Sequence, residues 1–242
     1  MRFLKSMMCA ALIVLTWSGS SQATLVFTGS SGSLSAEAEF SLSGSTLTVT
    51  LRNTSLADVL IPTDVLTGVF FTTAHTLTPV SASLGGSTVY YGSISDLGGG
   101  WGYASPVSAQ GENSAISASG AVSGLGHSNF SVLSNNLDGL DYGILSAGDL
   151  SATGNTGVTG HGPLIKNSVE FTFTVAPGFA LSELGDSVVF QYGTDLHETQ
   201  FDGGIDGGGG GGGGQVPEPS ALLLLGGGLI GLTSMRLWKA RR

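Results

Sequence analysis

The chain has 242 residues, of which 10% are charged, 40 are glycine and one is a cysteine. Between residues 24 and 215 stand sixteen acidic residues and two basic ones, Arg52 and Lys166, a net charge of −14. Such a surface repels nucleic acid and anionic lipid, and the lone Cys9 near the start excludes disulfide frameworks and cysteine-built metal sites from the body of the chain.

The first element is a leader. Arg2 and Lys5 precede a mostly apolar run from Met7 to Trp17, and Ser21-Gln22-Ala23 places small residues three and one positions before a cut. That layout predicts a secretory signal peptide over residues 1–23, cleaved after Ala23 and taking Cys9 with it; the competing reading is an uncut N-terminal anchor.

Strands follow. Residues 35–42 alternate, with Ala36, Ala38, Phe40 and Leu42 on one side and Ser35, Glu37, Glu39 and Ser41 on the other. A period of two is that of a half-buried strand. Thr46 to Leu51 repeats the pattern, and Ser43-Gly44-Ser45 between them predicts a β-hairpin. Residues 68–73, 87–93, 169–175 and 187–194 are further strands, rich in β-branched and aromatic side chains. Residues 181–185 fit a single helical turn. No sustained helical period occurs before residue 220. Residues 24–202 are therefore expected to form an all-β domain, a β-sandwich of jelly-roll type, with a barrel as the alternative. The glycine- and serine-rich stretch 98–162 is expected to supply long loops.

Residues 203–215, with eight consecutive glycines at 207–214, cannot build a core and read as a linker. Residues 216–242 have three parts: Val216-Pro217-Glu218-Pro219, an apolar run from Ala221 to Met235, and Arg236, Lys239, Arg241 and Arg242. Fifteen helical residues cover about 22 Å at about 1.5 Å each, against about 30 Å of hydrocarbon. Counting on to Trp238 comes closer, with Arg236 snorkelling and the basic cluster kept on the cytoplasmic side. A single transmembrane helix of minimal length is expected.

These three parts, in this order, resemble the PEP-CTERM sorting signal of Gram-negative bacteria. The resemblance implies an exported protein, held transiently in the inner membrane, processed there by an exosortase and delivered to the cell surface or extracellular matrix of species that make exopolysaccharide. Pro217, Glu218 and Pro219 would be the recognition motif, the run from Ala221 the transient stop, and Arg236, Lys239, Arg241 and Arg242 the retention cluster. Residues 137–149, 153–155, 164–174 and 188–199 resemble a recurrent group of exosortase-dependent surface proteins with no assigned enzymatic activity. This resemblance implies a surface-protein domain and carries no catalytic residues.

No catalytic pattern along the rest of the chain is complete. His197-Glu198 opens a zinc-protease pattern whose fifth position is Phe201, so the second histidine is missing. Gly126-His127-Ser128-Asn129 lacks the closing glycine of a nucleophile elbow, Phe130 standing there instead. No metal motif is complete and no cofactor is expected; Asp138, Asp141 and Asp149 are the candidates for a calcium clip, though aspartates scattered over loops fit a solvated surface better. Trp101 and Tyr103, among glycines, are the candidates for stacking on a sugar ring, with core anchoring as the plainer role. Tyr90 and Tyr91 would point to opposite faces of a strand. The functional expectation is a non-enzymatic surface or matrix protein linked to exopolysaccharide or biofilm. The alternative is an exported glycan-binding module or carbohydrate-active enzyme using the same anchor.

Overall fold

A computed structural model describes residues 22–91, 97–120, 122, 130, 137, 139–150, 153–160 and 162–206. The described part falls within one compact unit, Gln22–Glu218. It is all-β. The strands are β1 Ala23–Ser31, β2 Leu34–Ser43, β3 Thr46–Asn53, β4 Leu66–Thr73, β5 Thr78–Ser83, β6 Thr88–Tyr90, β7 Gly102–Ala104, β8 Ser114–Ser117, β9 Ile144–Leu145, β10 Leu164–Lys166, β11 Ser168–Thr174, β12 Leu184–Tyr192 and β13 Gln200–Ile205. One helical turn, α1 Thr156–Thr159, is capped by the Asn155 side chain, which accepts from the Val158 N–H.

The strands join into one curled sheet in the order β5-β11-β3-β2-β1-β13-β12-β4-β9-β10-β6, with β8 also on β4 and β7 on β8. The expected hairpin is β2–β3, with Ser43 opposite Thr46 and Gly44 at φ +60°. Glycine takes that conformation without a Cβ clash. The curl is closed where β10 runs straight into β11 through Asn167, at φ +86°. There Asn53 N–H donates to the Asn167 carbonyl at 3.0 Å, and the Ser87 and Ser168 hydroxyls meet at 2.8 Å.

Alternation decides what the curl encloses. Ala36, Ala38 and Phe40 of β2 share the inside with Leu47, Val49 and Leu51 of β3 and Val169, Phe171 and Phe173 of β11, all buried. Phe40 stacks edge-on to both Phe27 and Phe71, at 5.6 and 5.2 Å between ring centres. Glu37 and Glu39 face outward and both pair with Arg52 of β3. Such half-exposed pairs add little stability. β4 and β12 are covered on both faces: Val69, Phe71, Val188 and Phe190 belong to the main core, while Phe70 and Val189 join Ala104, Ala115 and Val122 in a second layer. That double burial explains the near-unbroken apolar run of β4. Residues 181–183 form the expected single turn, of 3₁₀ type.

Two expected boundaries change. β13 pairs with β12 through Gly203 and Gly204, so the glycine stretch begins inside the sheet rather than at a linker. Gly203 is needed there, since a Cβ would stand 2.5 Å from the Phe190 ring. The strand expected over 87–93 ends at Tyr90, because Tyr91 turns to φ +60°. The two tyrosine rings therefore pack edge-on at 6.1 Å instead of facing apart.

Candidate functional site

The two candidates for stacking on a sugar are in the core, the plainer of the two roles weighed for them. Trp101 is 0% exposed, its Nε1–H donates to the Tyr142 carbonyl at 3.0 Å, and its ring lies 4.9 Å from Phe171. Tyr103 is 2% exposed, its hydroxyl accepts from the Leu77 N–H at 3.3 Å, and its ring packs edge-on to Phe173 at 5.1 Å. Neither ring offers a face to a ligand, so the glycan assignment of Trp101 and Tyr103 is corrected to core anchoring. The glycines beside them serve packing: a Cβ on Gly100 would overlap the Tyr142 ring.

Of the three aspartates considered for calcium, Asp138 lies outside the described residues. Asp141 is half-buried, its carboxylate pressed against Gly162. Asp149 is buried and occupied otherwise (below). Among the described residues no three His, Cys, Asp or Glu side chains are placed to hold a metal ion. His75 pairs with Glu183 at 2.9 Å and His197 with Asp195 at 2.7 Å; His127 and His161 lie outside the described residues. A shallow groove of about 270 Å³ is lined by Gln110, Val189, Gln200, Phe201 and Asp202. It brings together no nucleophile and base.

Ala23, the expected cleavage position, is the exposed first residue of β1. Pro217, Glu218 and Pro219, the apolar run from Ala221, and Arg236, Lys239, Arg241 and Arg242 lie outside the described residues. Within the described residues no helix is long and apolar enough to cross a membrane.

The most organised polar group is one that sequence reading missed. Two described segments leave the same end of the sheet: residues 54–61 after β3, and residues 146–150 with 153–155 after β9. Asp58 Oδ1 accepts from the Leu150 N–H and the Thr153 hydroxyl, both at 2.9 Å, while Asp149 Oδ1 accepts from the Val59 N–H at 3.1 Å. Ser146 Oγ–H donates to the Ala57 carbonyl at 2.5 Å, and Asn155 N–H to the Leu60 carbonyl at 2.9 Å. Burial, with the Asp58 carboxyl beside it, raises the pKa of Asp149 above the ordinary aspartate range. Hydrogen bonds from Leu150 and Thr153 lower that of Asp58. Lys166 Nζ caps the group by donating to the Asp149 carbonyl at 2.6 Å and lies 5.9 Å from the centre of the Tyr90 ring.

This clasp presents apolar side chains. Leu56, Leu60, Ile61 and Leu150 are 86%, 50%, 45% and 61% exposed, and they are four of the five large hydrophobic residues exposed among those described. The fifth, Val80, lies apart on β5. A signal was present in the sequence: Leu56, Val59, Leu60 and Ile61 cluster before Pro62 without a strand period. Only Val59 is buried.

Residues 215–242 match the family model of the PEP-CTERM protein-sorting motif. No curated protein and no solved structure matches the chain.

Proposed function

We propose that this chain, which carries at residues 215–242 the sorting motif of an exported, exosortase-processed protein, is a non-enzymatic protein of the cell surface or extracellular matrix. The reading extends the motif in three ways. The leader is cut after Ala23. The apolar run from Ala221 holds the chain transiently in the inner membrane as a single helix, with Arg236, Lys239, Arg241 and Arg242 on the cytoplasmic side. The exosortase then removes the tail and releases the domain to a surface rich in exopolysaccharide, where it acts in envelope or biofilm structure without a cofactor. The curled sheet serves as a β-sandwich of jelly-roll type, a rigid displayed body.

The match over residues 215–242 is the observation that carries this reading. It is supported by the order of the tail's parts. A span barely long enough to cross is an odd permanent anchor and a serviceable temporary one. The test is processing in an exosortase-bearing host. Replacing Pro217, Glu218 and Pro219 together by alanine is expected to leave an unprocessed membrane-bound precursor, and deleting residues 216–242 to release the domain or misplace it. Normal processing and display of the triple variant would refute the sorting assignment, and turnover of any sugar polymer by residues 22–218 would refute the non-enzymatic one.

A further inference from the structure

β1 is the first strand of the domain, and it is an interior one. It pairs with β2 over nine residues, from Ala23 opposite Leu42 to Ser31 opposite Leu34. On its other side Phe27 and Thr28 stand opposite Ile205 and Gly204 of β13, and the Asp206 N–H donates to the Val26 carbonyl at 2.8 Å. The ladder starts at the expected cut. Ala23, the last residue of the leader, forms its first rung, and Thr24, the first residue beyond, stands opposite Ser41. The Gln22 side chain extends the join, its Nε2–H donating to Ser41 Oγ at 2.6 Å.

The bond to be cut is thus part of the sheet. A peptidase takes up the chain around a scissile bond in extended form, engaging its backbone groups and alternate side chains. In the folded domain β2 already holds that stretch of backbone. Ala23 is exposed at the strand end, yet alternation puts it on the side of Leu25 and Phe27. Phe27 is buried and Leu25 packs against the core, so the small side chain that an enzyme would have to pocket lies on the face that the curl encloses. Freeing the bond means opening the rungs at Ala23, Thr24 and Leu25, and pulling Leu25 out of its packing opposite Phe40.

We infer that folding seals the leader's cut site: the bond between Ala23 and Thr24 is open to a signal peptidase only until β1 pairs with β2. The inference rests on the reading of residues 1–23 as a cleaved leader and adds an order of events, the cut first and the fold second. The sealing pair is local, since β2 follows β1 after a two-residue turn, Gly32 at φ +62°. Pairing of that kind is fast compared with joining β1 to β13, which waits for residue 205. The window for the cut therefore closes early in folding. A chain that folds uncut keeps its leader and stays anchored even after its sorting tail is removed.

The test uses the full chain, residues 1–242, in detergent micelles with purified signal peptidase, and mass spectrometry reads the new N-terminus. Precursor diluted from urea straight into enzyme is compared with precursor first left to refold. Hydrogen exchange of the β3 and β11 amides shows that each refolded chain has its core. Cleavage after Ala23 is expected to be at least about tenfold slower in the refolded chain, matching about 1.4 kcal/mol or more to open the rungs. Inserting Gly-Ser-Gly-Ser between Ala23 and Thr24 moves the cut out of the ladder and leaves the core residues unchanged. This variant is expected to be cut at the same rate refolded as unfolded. Equal cutting of refolded and unfolded wild type would overturn the inference alone, as would a refolded insertion variant that stays resistant. An unfolded precursor that is not cut after Ala23 would overturn the leader assignment and the inference with it.

Discussion

Trp101→Ala separates a core role for this ring from a ligand role. The side chain is fully buried, its ring rests against Phe171, and its N–H is bonded to the Tyr142 carbonyl. Truncating a buried tryptophan costs about 3–5 kcal/mol, the lost transfer energy plus the residual cavity. Tyr142 also loses a hydrogen bond at a buried carbonyl, which pushes the value to the upper part of that range. Against a domain stability of about 5–15 kcal/mol the variant still folds at low temperature. At about 2–4 °C per kcal/mol for a chain of this size, the midpoint falls by about 6–20 °C. Thermal and urea unfolding of residues 22–218 measure this directly. The fragment contains a single tryptophan, since Trp17 and Trp238 lie outside it. Its fluorescence therefore reports this ring alone, and the wild type is expected to show shielded, blue-shifted emission that reddens on unfolding. A loss below about 1 kcal/mol, within the reach of an ordinary surface substitution, or emission freely quenched in the folded state, would refute the burial argument.

Two other outcomes follow from the clasped loops. Asp149 has a folded pKa raised by burial, so the folded state holds its proton more tightly than the unfolded chain does. Its contribution is full at low pH and is lost as pH rises from the ordinary value of about 3.9 through the raised one. Asp149→Asn keeps an oxygen for the Val59 N–H and supplies an N–H to Asp58; its melting temperature relative to wild type is expected to rise with pH over that window. A difference independent of pH would mean that Asp149 is not the titrating group. Gly148→Ala forces a Cβ onto the Leu56 carbonyl, its carbon only 2.6 Å away, and no flexible side chain stands between them to yield. Hydrogen exchange of the Val59 and Leu150 amides is expected to speed up at least about tenfold, matching about 1.4 kcal/mol or more of local destabilisation; unchanged protection at both would refute the contact.

β2, β3, β4, β11 and β12 were legible in the sequence because each is long enough to show its period. The rest depended on pairing that sequence does not display. β1 and β13 combine small and polar residues whose strand character comes from lying beside one another and beside β2 and β12. Gly203 reads as linker by composition, yet its missing Cβ makes room for Phe190. The same ambiguity left a sugar-stacking role open for Trp101 and Tyr103: glycines around an aromatic pair look like an open loop, whereas here Gly100 admits the Tyr142 ring. The sorting tail was legible from residue types alone, because its parts are contiguous and ordered. The Asp58–Asp149 clasp was not, because its members are ninety-one residues apart and meet only when β3 and β9 end side by side.

The antiparallel placement of β13 between β1 and β12 also has a mechanical side. A pull on the C-terminal continuation acts along the axis of β13, while the hydrogen bonds to its two neighbours run across that axis. Tension is then shared by all the rungs at once and cannot open them one after another from the end. The strand that carries the tether is thus loaded in shear, and the load passes into the centre of the sheet, away from its β5 and β6 edges. A domain held by its tail would then meet drag with every rung of β13 at once.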